Sequence, residues 1–449
     1  MAKVNRVKSL FILIIIIFFT LSGPLKALEV IRDTELENFT KDIIKILLID
    51  NDIEAEDINI YFIKSDRVNA FVTGGTNIFI NTELIVQAND YREYAAVIAH
   101  ELAHILGGHV FRTSEEISNI SGKAMPIYLL GIIGLITGAT EAGFAGVMVG
   151  QAAVTDTFTY HSRTQEAAAD QKAVSIMCSS MIDASYLASF LESLEVSIPN
   201  IDTNVENYRS THPIPENRIN WIQLALNNYE KCNFKKDEVL EKRFNLLRAK
   251  LFGFTHSFEE TKAVYYSKND QDLYANAVSN YLNGDHKQSI ENLKKLIKSN
   301  NKNPFFRELI GEIFFVNQRY DEAIYFQRGA MKNLNSDNDI YTMMLGNYLL
   351  STEEKEKVNE SIGYLKKSIQ INPTNAYSWY LLAKAYAYLD NISFANYATA
   401  ERYFLIGERM LAYDFAIKAI NGIEENTPEW YRTSDLIEIL QKEVSTNTN

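Results

Sequence analysis

The sequence predicts a mainly α-helical protein of α+β class, with a small β-sheet in its N-terminal half and a solenoid of stacked helix pairs behind it. Three observations predict this. Hydrophobic residues make up 47% of the 449 and recur at helical spacing along most of the chain, enough for two or three packed domains. Two β-rich runs, 58–64 and 76–80, lie on either side of Gly74-Gly75, the composition of a hairpin or small sheet. From about residue 271, Gly311, Gly346 and Ala383 recur at intervals of 35 and 37, each after an aliphatic residue.

Taken in order, Lys3, Arg6 and Lys8 precede an apolar run over 10–21, then Gly23-Pro24 and Ala27, which is the pattern of a secretory signal peptide over 1–27. The run is short for a membrane span of ~20 residues. The formal charge is −13; Lys3, Arg6, Lys8 and Lys26 are the only charges in 1–27, so without that segment it is −13 − 4 = −17. An acidic chain with no dense basic block argues against a nucleic-acid partner. Cys178 and Cys232, the only cysteines, lack metal-ligand spacing; they fit either one bridge in an oxidising compartment or two buried thiols.

Residues 28–57 read as one or two amphipathic helices with Ile43, Ile44, Leu47 and Leu48 on one face. Asn81 or Thr82 can cap a helix carrying Leu84 and Ile85, and a longer helix runs from about Glu93 to Leu106, stopping at Gly107-Gly108. Residues 126–154 are apolar and glycine-rich, with Glu141 their only charge, and read as short helices packed on protein. Further helices are expected over 164–181 and 216–231. The charged stretch 235–270, with Phe252 and Phe254 as docking residues, reads as a linker.

In the repetitive region, Ser289, Ala323 and Ala395 fill a small-residue slot about twelve places after the recurring glycine or alanine position, and Pro373 closes one unit. Small residues at these offsets let antiparallel helices approach closely. The pattern resembles the tetratricopeptide repeat, in four or five degenerate units. Tyr325, Tyr341, Tyr348, Tyr377, Trp379 and Tyr386 are expected in its core.

The sharpest chemical signal is His100-Glu101-Leu102-Ala103-His104 within an alanine-rich helical run. Histidines four apart share a helix face and can meet one tetrahedral zinc, while Glu101 is placed to act as general base. Two buried imidazoles and a carboxylate within one turn need a partner, and a metal supplies it. A third ligand is expected, and the best candidate is Glu166, followed by Asp170 on the same face of a helix of small alanines. Asp170 is then placed to accept the second ring N–H of a ligand histidine. His109 would stand about 140° round a continued helix, with Gly107-Gly108 intervening, and reads as structural.

The histidine–glutamate motif, Ser162-Arg163 with Glu166 and Asp170, Thr211-His212-Pro213 with Arg218, and Asn69-Ala70-Phe71 before Gly74-Gly75 together resemble the M48 metallopeptidase family. The resemblance implies a zincin-type fold and one zinc ion (Zn2+) per chain held by His100, His104 and Glu166, with Glu101 catalytic. It implies further that His212 fills a fourth position in a resting state and leaves when substrate enters. Arg218 could stabilise oxyanion charge or pair with a carboxylate such as Asp170. Glu83 stands where the family pattern leads one to expect glycine.

The expected organisation is therefore signal peptide 1–27, M48-type zinc metallopeptidase domain 28–234, linker 235–270 and tetratricopeptide-like repeats 271–449. This order is similar to that of periplasmic family members at the outer membrane. It implies a metalloendopeptidase for misfolded or misassembled envelope proteins, docked by its repeats to a protein partner, with the outer-membrane assembly machinery the implied one. The alternative is a chaperone or scaffold whose peptidase activity is repressed or secondary. Residues near Asn77–Ile80 are expected to offer a sheet edge to an extended substrate.

Overall fold

The structure, a computed structural model, describes residues 29–73, 75–109, 163–196, 212, 218–227, 234–334 and 336–447. The expectations for 1–27 and 126–154 lie outside the described residues. Among the described residues, no helix is long and apolar enough to cross a membrane.

The N-terminal unit opens with β1 (Glu29–Ile31) and α1 (Thr34–Leu47). The Asp33 carboxylate caps α1 by accepting the Leu36 N–H. Leu36, Phe39, Ile43, Ile44 and Leu47 then bury a single stripe. Strands β2 (Asn59–Lys64), β3 (Ala70–Thr73) and β4 (Asn77–Asn81) complete a sheet of order β1-β2-β4-β3.

Both expected strands are present, but they do not form the hairpin. β2 and β4 run parallel, Ile60 beside Ile78 and Phe62 beside Ile80. The hairpin joins β3 to β4 through Gly75, whose φ of +82° suits glycine. β4 is therefore a central strand, which corrects the expectation that 77–80 offers a free edge. Its Ile78, Phe79 and Ile80 are buried, as a strand flanked on both sides requires. Among the described residues, the edges are β1 and β3.

After α2 (Thr82–Gln87) comes α3 (Tyr91–Leu106), capped by Asp90. Every side chain from Tyr94 to His104 is buried, so α3 is the axis of the core. Packed against it are α4 (Arg163–Ser179) and α5 (Ser185–Val196), and α6 (Arg218–Asn227) packs on both of these. Cys178, near the end of α4, is disulfide-bonded, and the sequence holds one other cysteine, Cys232.

Residues 235–270, expected as a linker, are mostly helical: α7 (Glu238–Thr255) and α8 (Phe258–Val264). Leu240, Phe244, Leu247 and Leu251 form one face of α7 and belong to the N-terminal core, whereas Leu246 belongs to the core of the repeats. Two apolar faces on one helix weaken the amphipathic signal, which is why the sequence reads as aperiodic there. Phe252 packs on the first core and Phe254 on the second.

Five antiparallel pairs follow: α9 (Asp270–Leu282) with α10 (His286–Ser299), α11 (Pro304–Val316) with α12 (Tyr320–Asn333), α13 (Asp339–Ser351) with α14 (Lys355–Ile371), α15 (Ala376–Tyr388) with α16 (Ile392–Leu405), and α17 (Arg409–Ile420) with α18 (Pro428–Asn447). Asn269, Asn303, Asn338 and Asn375 each cap the first helix of a pair through their side chains. Ser289, Ala323 and Ala395 are buried at the close contacts as expected. Tyr341, Tyr348, Trp379 and Tyr386 are core residues, but Tyr325 (68% exposed) and Tyr377 (50%) are not.

The tightest approach in the join lies between α7 and α9. A Cβ on Gly253 would collide with the Ala275 backbone carbonyl, whereas one on Gly363 would meet nothing within 4 Å. Gly253→Ala is expected to destabilise the protein by about 1–3 kcal/mol in denaturant unfolding, and Gly363→Ala to cause no loss.

Candidate metal centre

α3 sets His100 and His104 one turn apart, with their Nε2 atoms 3.0 Å from each other. α4 packs against α3, and Ala99 and Ala103 on α3 and Ala169 and Ala173 on α4 are all buried in the same core. That packing brings Glu166 to the histidines, Oε2 3.4 Å from His100 Nε2 and Oε1 3.3 Å from His104 Nε2. His212 completes the group, its Nδ1 3.2 Å from Glu166 Oε1 and 3.4 Å from His100 Nε2. The four residues are buried, and their ligand atoms all lie within 4.8 Å of one another.

These separations fit zinc. Metal–ligand bonds of about 2.0–2.1 Å in a tetrahedron set donor atoms roughly 3.3–3.4 Å apart. Ring orientations agree. His212 Nε2 lies 3.2 Å from the Ala70 carbonyl oxygen, an acceptor only, so that nitrogen carries the proton and Nδ1 turns its lone pair inward. His100 Nδ1 lies 3.0 Å from Asp170 Oδ1, which likewise turns Nε2 inward. Asp170 stands within hydrogen-bond reach of the ring nitrogen for which it was expected to be the acceptor.

Charge points the same way. Glu101, Glu166 and Asp170 bring three carboxylates into a buried space where, among the described residues, Arg218 is the one permanent cation. Arg218 grips Asp170 with two hydrogen bonds, Nε to Oδ2 at 2.7 Å and Nη2 to Oδ1 at 2.8 Å, and places Nη1 3.1 Å from Glu166 Oε2. Of the two readings of Arg218, the carboxylate pair is the one the geometry supports. Without metal, burial opposes charge on His100, but Glu166 and Asp170 outweigh it and push the imidazole up to about 9. Burial also works against the Glu166 carboxylate, yet His212 and His100 hold it well below the usual range. The centre calls for positive charge, and a divalent cation would supply it.

Glu101 is fully buried and, among the described residues, neither carboxylate oxygen accepts a hydrogen bond; His212 Nε2 stands 3.4 Å from Oε1. Burial pushes its carboxyl up, with His212 and His100 pulling back. An unsatisfied carboxylate beside the donor set suits a group that handles a proton for an incoming molecule.

All seven residues singled out in the sequence converge here. His109 joins them: it is buried, with Nδ1 3.0 Å from His104 Nδ1. Its sequence signal was the glycine pair before it, because a left-handed turn there can fold the chain back.

Residues 32–225 match peptidase family M48. This segment is an M48 metallopeptidase domain. The beta-barrel assembly-enhancing protease of Escherichia coli K12 is 22% identical over 367 residues, covering 77% of this chain and 71% of that protein. The protein of the same name from Yersinia pestis is 27% identical over 162 residues, 35% of this chain and 32% of its own length.

Elemental analysis of the purified protein is expected to find about one zinc per chain, lost in His100→Ala and Glu166→Ala. Arg218→Ala leaves Asp170 buried without its partner and is expected to lower stability by about 3–5 kcal/mol.

Proposed function

We propose that the protein is a zinc-dependent endopeptidase of the periplasm that hydrolyses misfolded or misassembled envelope proteins. The observation that carries this reading is a buried donor set of three histidines and a glutamate, its ligand atoms all within 4.8 Å of one another, beside the buried Glu101, whose carboxylate accepts no hydrogen bond among the described residues. Zinc, when bound, would polarise the scissile carbonyl and make water more acidic. His100, His104 and Glu166 would hold it. Glu101 takes the proton from the attacking water and passes it to the leaving amine.

An extended substrate adds to the edge strand β3 rather than to β4. The Ala70 carbonyl on β3 is engaged by His212, so a substrate strand reaching that carbonyl competes with the residue that completes the donor set. Release of His212 opens a coordination position and frees space beside Glu101. The repeats dock a protein partner on their concave face. The disulfide at Cys178 suits an oxidising compartment. The relatives' name, beta-barrel assembly-enhancing protease, supports β-barrel assembly as the setting.

A four-donor set also favours a second reading, in which scaffold or chaperone work dominates and peptidase activity is repressed. The two separate in a strain lacking the gene: rescue by Glu101→Gln would favour the scaffold, and failure to rescue would favour catalysis.

With purified protein and an unfolded protein substrate, Glu101→Gln is expected to retain zinc and lose about 10²–10⁴-fold in kcat. His212→Ala is expected to raise activity; unchanged or lower activity would count against its gating role.

A further inference from the structure

We propose that His109 is the positioning residue for His104, holding that ring so that its Nε2 faces the metal. The inference rests on the metallopeptidase reading above and concerns a residue outside the donor set.

A histidine that ligates through one nitrogen needs its other ring N–H held by an acceptor, and each ligand here must find one. His100 has Asp170. His104 turns Nε2 toward His100 and Glu166, so its Nδ1 carries the proton. His109 Nδ1 lies 3.0 Å from that nitrogen, with the two rings edge to face at 74°. His109 therefore accepts at Nδ1 and carries its own proton at Nε2. The two ligand histidines are held differently, one by a carboxylate and one by a neutral ring.

Local backbone makes this contact. Had α3 continued, His109 would point about 140° away from His104. Instead Gly107 ends the helix and Gly108 takes φ +63°, reversing the chain so that the ring of His109 lies back over the last turn. The ring passes so close to Gly107 that a Cβ there would sit 2.7 Å from His109 Nε2. Gly107 thus leaves the space the ring occupies, and Gly108 supplies the turn.

The test measures zinc affinity by chelator competition on the full chain, alongside the absorption spectrum of cobalt(II)-loaded protein and the melting temperature without metal. His109→Ala is expected to weaken zinc about 10–100-fold and alter the cobalt spectrum, with the metal-free melting temperature little changed. His109→Asn can present an amide oxygen where Nδ1 stood and is expected to recover most of the affinity. Gly107→Ala, which displaces the ring without removing it, is expected to resemble His109→Ala. Zinc affinity unchanged in His109→Ala would overturn the positioning role, as would a loss confined to metal-free stability or a failure of His109→Asn to recover affinity. Wild-type protein that binds no zinc would overturn the metallopeptidase reading and the positioning role with it.

Discussion

Two imidazoles and three carboxylates can be buried together only if positive charge meets them, and that requirement governs the crossing of α3 with α4. The two helices pack closely enough for Glu166 on one to reach His100 and His104 on the other. Arg218 offsets part of the negative charge and locks Asp170 in place through paired hydrogen bonds. Asp170 in turn orients His100. Arg218, Asp170 and His100 are thus linked in a chain of contacts, so that part of the arrangement holds as a unit.

The same coupling extends to the repeats. α7 buries one face in the peptidase core and another in the first repeats, so the two domains share a helix rather than a flexible tether. Polar contacts reinforce the join. Lys250 on α7 lies 2.5 Å from Asp33 and 3.3 Å from Glu35 at the start of α1, and Tyr274 on α9 donates to Glu35 at 2.8 Å. Arg32 reaches Asp339 at the start of α13, 3.1 Å away. A partner bound by the repeats would thus be held in a defined relation to the metal centre.

Legibility followed the range of the interactions involved. His100, Glu101 and His104 could be read because their relation is set by a single helical turn. Glu166 and Asp170 could be read as a helix face, although only the crossing makes that face a wall of the site. The strands at 59–64 and 77–81 were visible in composition, but their parallel pairing was not, because the short β3 between them carries little signal and takes the hairpin. Tyr325 and Tyr377 match the repeat pattern yet face outward, since period alone does not say which side of a helix its neighbours cover.

The sequence by itself determined the helices, their caps, the repeating small residues and the chemistry of the motif, all properties that residues within a turn or two impose on one another. Only the tertiary structure decided which strand is an edge, that α7 joins two cores, that Arg218 pairs with Asp170, and that His109 turns back onto His104. These depend on how distant segments pack and on one left-handed glycine, where a few degrees of backbone rotation redirect a whole side chain.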